Sequence, residues 1–121
     1  MKLTVIWIDR ENANLFHLSD DKMERKKLKL RHQDHHNHHR DHLDQDREEP
    51  HLFKEAAMEL NDSERVLIIG PGVAKYHFQS YLVEHQPLIG KKIAGIETVD
   101  HPTDAQIAAL AKKFFERVLS A

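Results

Sequence analysis

The sequence predicts one α/β domain over residues 1–121, with a mixed five-stranded sheet and helices on both faces, and three observations carry that expectation. Short runs rich in β-branched and aromatic residues come first, at Leu3 to Asp9 and Asn14 to Ser19, separated by polar Arg10-Glu11-Asn12. From Pro50 onward, helical and strand periodicities alternate, the pattern that yields crossover connections and parallel pairing. Between these halves, Arg31 to His42 contains six of the eleven histidines among acids, amides and arginines, with no apolar residue to enter a core. Such a segment stays solvated, so an imidazole-rich loop over about 32–49 joins the two halves.

The first two runs read as a hairpin. A third strand is expected at about Lys26 to Arg31, where Lys27, Lys29 and Arg31 share one face while Leu28 and Leu30 share the other. Pro50 opens a helix to about Leu60 with Phe53, Ala56, Ala57 and Leu60 on one side, and Asp44, Asp46, Glu48 and Glu49 ahead of it suit the positive end of its dipole. Val66-Leu67-Ile68-Ile69 is a continuous apolar run, as expected of a central strand buried on both faces. After Gly70-Pro71-Gly72 a second helix runs from Val73 to about Gln86, its inner stripe Ala74, Phe78, Tyr81 and Leu82, stopped by Pro87. Ile93 to Asp100 is the last strand. Thr103-Asp104-Ala105-Gln106 has the form of a capping box, opening a helix that buries Ile107, Leu110, Ala111, Phe114 and Val118. The resulting order, βββαβαβα, is shared by ribonuclease-H-like folds.

Composition narrows the function classes. The 121 residues, 40% hydrophobic and 31% charged, suffice for one core without staples. Absence of cysteine excludes disulfides and thiolate zinc sites. Asp9 and Arg10 interrupt the N-terminal apolar run, which argues against a signal peptide, and no stretch approaches the roughly 18 apolar residues of a membrane span. A cytoplasmic protein is expected. The formal charge of -2 provides no global basic field, so any nucleic-acid contact must come from a local patch.

Two segments carry a resemblance. Arg65-Val66-Leu67-Ile68-Ile69-Gly70-Pro71-Gly72-Val73-Ala74-Lys75, followed by Ile93 to Asp104, resembles a family of small bacterial translational machinery proteins, which are similar to the middle domain of archaeal and eukaryotic class I release factors and of Pelota. The resemblance implies a ribosomal context. In the release factors the corresponding loop carries a Gly-Gly-Gln tripeptide that promotes peptidyl-tRNA hydrolysis. Here the four glycines, Gly70, Gly72, Gly90 and Gly95, all lie outside the loop, and Gln33 and Gln45 lack glycine neighbours. Hydrolysis is therefore not carried over, and a non-catalytic protein is expected, as in Pelota-like relatives that lack the tripeptide.

The expected role is contact with the ribosome or structured RNA through Lys27, Lys29, Arg31, His35, His36, His38, His39 and Arg40. From Arg31 to Glu49, three arginines against six acids leave a charge of -3 with neutral histidines, and protonating all six imidazoles brings it to +3. Because free imidazole titrates near about 6.5, mild acidification converts a phosphate-repelling loop into an attracting one. The rival is metal binding: His32 with His36, His35 with His39 and His38 with His42 would each project to one side of a helix and clamp zinc or nickel. A third reading, a magnesium-dependent nuclease, would use Asp9, Glu55 or Glu59, and Asp100, although Gly70 stands where a further carboxylate is expected. Gly70-Pro71-Gly72 reads better as a tight turn than as a phosphate cradle, and Trp7, Phe78 and Tyr81 as core. The small domain also leaves room for a homodimer.

Overall fold

The computed structural model describes residues 2–20, 22–29 and 51–120. Its elements are β1 (Lys2–Ile8), β2 (Asn12–Ser19), β3 (Lys22–Lys29), α1 (51–58), β4 (Arg65–Gly70), α2 (Ala74–His85), α3 (Pro87–Gly90), β5 (Ile93–Thr98) and α4 (Asp104–Ser120). The sheet order is β3-β2-β1-β4-β5, with β1 antiparallel to β2 and parallel to β4. Central position matches composition: Val5, Ile6, Trp7 and Ile8 in β1 and Val66 to Ile69 in β4 are all buried. An unbroken apolar run is what a strand covered on both faces requires.

Two helical layers close the sheet. On one face, Leu52, Phe53, Ala56 and Ala57 of α1, Leu60 just after it, and Phe78 and Leu82 of α2 pack on Ile6, Ile8, Leu15, Val66 and Ile68. On the other, Ile107, Ala111, Phe114 and Phe115 of α4 pack on Val5, Trp7, Phe16, Leu67 and Ile69. Burying one such large side chain stabilises the fold by about 1.5–3 kcal/mol. Phe114 can approach β5 only because Gly95 lies beneath its ring, where an added Cβ would sit 2.8 Å from Phe114 Cζ.

The expected architecture stands, with shifted boundaries. The third strand is Lys22–Lys29 rather than Lys26 to Arg31, because β2 pairs with it over its whole length, from Ser19 opposite Lys22 to Asn12 opposite Lys29. The turn before it places Asp20 at φ 52, a left-handed conformation that aspartate tolerates better than most residues. Pro87 does end α2, yet the chain immediately restarts as α3 with that proline at its first position. Leu110 and Val118 are only partly buried, and Phe115 takes a core place that the stripe did not include.

One buried polar chain pins the sheet to the segment after α1. Thr4 Oγ1 lies 2.8 Å from His17 Nδ1 and 2.6 Å from Ser63 Oγ, and all three residues are buried. The distances fit Ser63 donating to Thr4 and Thr4 donating to Nδ1 of a neutral imidazole. Burial first, and then the neighbouring Lys2 ammonium, hold the His17 pKa below 6.5, against the pull of Glu59, Asp62 and Glu24. Unfolded His17 therefore binds a proton as pH falls through about 6.5 while the folded residue does not. Its contribution to stability is complete above that pH and is lost as pH falls toward the depressed folded value. Urea unfolding at pH 7.5, 6.5 and 5.5 is expected to give a steeper decline for the native chain than for His17→Gln; parallel declines would refute this.

Candidate nucleic-acid interface

The register of β3 sorts its side chains. Leu28, opposite Ala13, packs on the α1 side, as does Lys26, whose Nζ sits 2.7 Å from Glu59 Oε2. The alternate residues Arg25, Lys27 and Lys29 lie opposite Phe16, Asn14 and Asn12 and belong to the α4 side. Arg25 is ion-paired with Asp104 at the start of α4. Lys27 and Lys29 are exposed and make no ion pair among the described residues, and their partners on β2 are uncharged amides. Lys27 and Lys29 of the expected stripe therefore share one face, with Arg25 as a further cation beside them. Arg31, His32, His35, His36, His38, His39, Arg40 and His42 lie outside the described residues, as do the three histidine pairs.

Across the same face, residues 99–103 form a strap from the end of β5 to the start of α4. Val99 N–H donates to Gly70 O at 3.0 Å, and the Trp7 indole N–H donates to Asp100 O at 3.0 Å. His101 lies over Trp7, ring centroids 5.4 Å apart, and its Nδ1 is 2.9 Å from Asp100 Oδ1. The far end is fixed by the predicted capping box: Gln106 N–H donates to Thr103 Oγ1 at 3.1 Å, and Thr103 N–H to Gln106 Oε1 at 2.9 Å. Between strap and helix opens a cleft of about 410 Å³, walled by Val99, Pro102, Ile107 and Leu110, with Asp100, His101 and Gln106 supplying polar groups. The residues lining this cleft are close in the sequence, but the Trp7 bond that holds the strap in place joins positions 93 apart and has no local signal.

Three of the carboxylates weighed for a nuclease, Asp9, Glu59 and Asp100, are engaged in local contacts. Asp9 Oδ1 accepts the backbone N–H groups of Glu11 at 2.9 Å and Asn12 at 2.7 Å, an Asx turn that closes the β1–β2 hairpin. Glu59 is paired with Lys26, and Asp100 with His101. No group of three potential metal ligands assembles among the described residues. At Gly70 a Cβ would lie 2.3 Å from the Ile8 carbonyl oxygen, so no side chain of any kind fits there.

Gly70-Pro71-Gly72 is a tight turn, as expected. It is closed from within by Lys75, a buried lysine that the sequence did not single out, whose ammonium donates to Gly72 O and lies 4.6 Å from the centroid of the Tyr76 ring. Trp7 and Phe78 are core residues, and Tyr81 is partly buried against Phe53. No helix among the described residues is long and apolar enough to cross a membrane.

No protein-family profile matches the sequence, and no curated protein matches it. Solved structures do. Pelota from Archaeoglobus fulgidus superposes with a TM-score of 0.70 at 19% identity over 98% of this chain. An archaeal translation termination factor gives 0.64 at 19% identity over 85%, and Pelota from Thermoplasma acidophilum 0.62 at 16% identity over 88%. The chain spans about a third of the length of these proteins, at 33%, 31% and 30% respectively. The fold expected from the resemblance, a five-stranded α/β domain like one found in Pelota and the archaeal factor, is the fold observed.

Proposed function

We propose that this chain is a non-catalytic contact module of the translation machinery that binds the ribosome or structured RNA through Lys27, Lys29 and Arg31 together with His35, His36, His38, His39 and Arg40 of the following loop. The observation that carries the reading is the pair Lys27 and Lys29, exposed side by side and facing amides rather than acids on β2. Two adjacent ammonium groups on one face, with no acid opposite them, are available to phosphate. Support for the translational setting is the fold shared with a translation termination factor and with Pelota. The absence of Gly-Gly-Gln from the sequence separates this proposal from peptide release. Self-pairing belongs to the same proposal, and the exposed apolar residues Tyr76, Val83 and Leu88 are the surface it would use.

Co-sedimentation with ribosomes or structured RNA at pH 7.5 and pH 6, with and without chelator, tests it. Binding is expected to persist in chelator and to strengthen at the lower pH, because protonated imidazoles add positive charge to the loop. Affinity that stays flat with pH and survives neutral replacement of the six loop histidines would remove the loop from the interface. Stoichiometric uptake of zinc or nickel without RNA or ribosome association would replace the proposal with the metal-binding reading, which rests on the histidine spacing in the sequence.

A further inference from the structure

We infer that the cleft between the 99–103 strap and α4 holds an unpaired nucleobase, guanine by preference, of an RNA strand whose phosphates run along Lys27 and Lys29; this rests on the RNA reading above. The volume of about 410 Å³ falls within the roughly 300–1,000 Å³ typical of small-molecule sites and accommodates a base with its ribose. Val99, Pro102, Ile107 and Leu110 offer apolar walls to the faces of a ring. The polar groups suit its edge. Asp100 uses Oδ1 on His101, which leaves Oδ2 as an acceptor, and Gln106 uses Oε1 on Thr103, which leaves its amide N–H groups as donors.

The charge distribution decides which part of a nucleotide enters. The exposed Asp100 carboxylate at the rim of the cleft repels phosphate, so the backbone stays outside, where Lys27 and Lys29 are exposed. A carboxylate also accepts well from bases with amino and ring N–H donors on adjacent atoms, and guanine presents that pair, with an oxygen beside it for an amide donor. The two halves of the surface are continuous. Lys27 pairs with Asn14 and Asn14 with Trp7, a row about 10 Å across, and His101 lies on Trp7 at the mouth of the cleft. The Arg25–Asp104 ion pair ties the far end of the strap to β3.

Trp7 is the only tryptophan, so intrinsic fluorescence reports on this corner of the molecule. Titrating the full chain with guanosine monophosphate is expected to change that fluorescence saturably, with uridine monophosphate bound about tenfold more weakly. Asp100→Asn should weaken guanosine monophosphate by about tenfold while keeping the Trp7 bond, which goes to the backbone oxygen. Leu110→Lys should block the cleft, and circular dichroism checks that the variant folds. No saturable response, equal response to both nucleotides, or a response unchanged by Asp100→Asn overturns the inference. Co-sedimentation with RNA distinguishes the two levels: RNA binding without a nucleotide response overturns the cleft and leaves the broader proposal, whereas a nucleotide response without RNA binding supports the cleft and overturns that proposal.

Discussion

Gly70→Ala is expected to destabilise the fold by about 3 kcal/mol or more, a large part of the total stability of a domain this size. The reason is a backbone contact. A Cβ at this position would lie 2.3 Å from the carbonyl oxygen of Ile8 and 3.4 Å from its carbonyl carbon, and no rotamer change can relieve a clash with main chain. Relief requires moving β1 away from β4, although both are central strands whose registry places Ile6 against Ile68 and Trp7 against Ile69. It would also disturb the Gly70 carbonyl that accepts the Val99 N–H and anchors the strap. Gly72→Ala is the matched control. Nothing lies within 4 Å of a Cβ there, and its backbone is not left-handed, so the added methyl should change stability by less than about 1 kcal/mol. Urea midpoints of the two variants measure the contrast, and equal midpoints would show that β1 and β4 separate without strain.

The same glycine illustrates what could be read from sequence. Val66 to Ile69 announced a doubly covered strand because each residue is apolar, and Thr103 with Gln106 announced a helix start because the capping hydrogen bonds lie only three positions apart. Local patterns of this kind carry their own evidence. The first half of β3 does not: Lys22, Met23, Glu24 and Arg25 are exposed on an edge strand, so nothing imposes an alternation, and only backbone pairing with β2 defines them as strand. Gly70 was legible as a turn residue but not as the site of a close backbone approach, since Ile8 is distant in the chain. The Thr4–His17–Ser63 chain and the Trp7–Asp100 bond were hidden for the same reason, spanning 59 and 93 positions. His17 in particular sits in a strand with ordinary neighbours, and only the fold reveals that it is buried and hydrogen-bonded. The proposed surface follows this division, with its lysines visible as a stripe and its strap held by the Trp7–Asp100 bond that only the completed sheet makes possible.

Reversing both exposed lysines of β3, Lys27→Glu with Lys29→Glu, is expected to reduce RNA affinity about 10- to 100-fold at about 0.1 M salt and to flatten the dependence of log K on log salt by about two. Each lysine that contacts a phosphate releases counterion on binding, and each glutamate adds repulsion. Stability should change by less than about 0.5 kcal/mol, because both side chains are exposed and make no ion pair among the described residues. Overall charge must be separated from local charge. Each reversal subtracts two, so the pair takes the formal charge from -2 to -6. Lys54→Glu with Lys91→Glu makes the same change at exposed positions on α1 and after α3, elements of the layer that covers the opposite face of the sheet. A diffuse field would weaken RNA binding equally in both double variants and would remove β3 as the contact surface. A local interface loses affinity and salt slope only in the β3 variant, since screening over about 10 Å at 0.1 M salt isolates it from charges across the molecule.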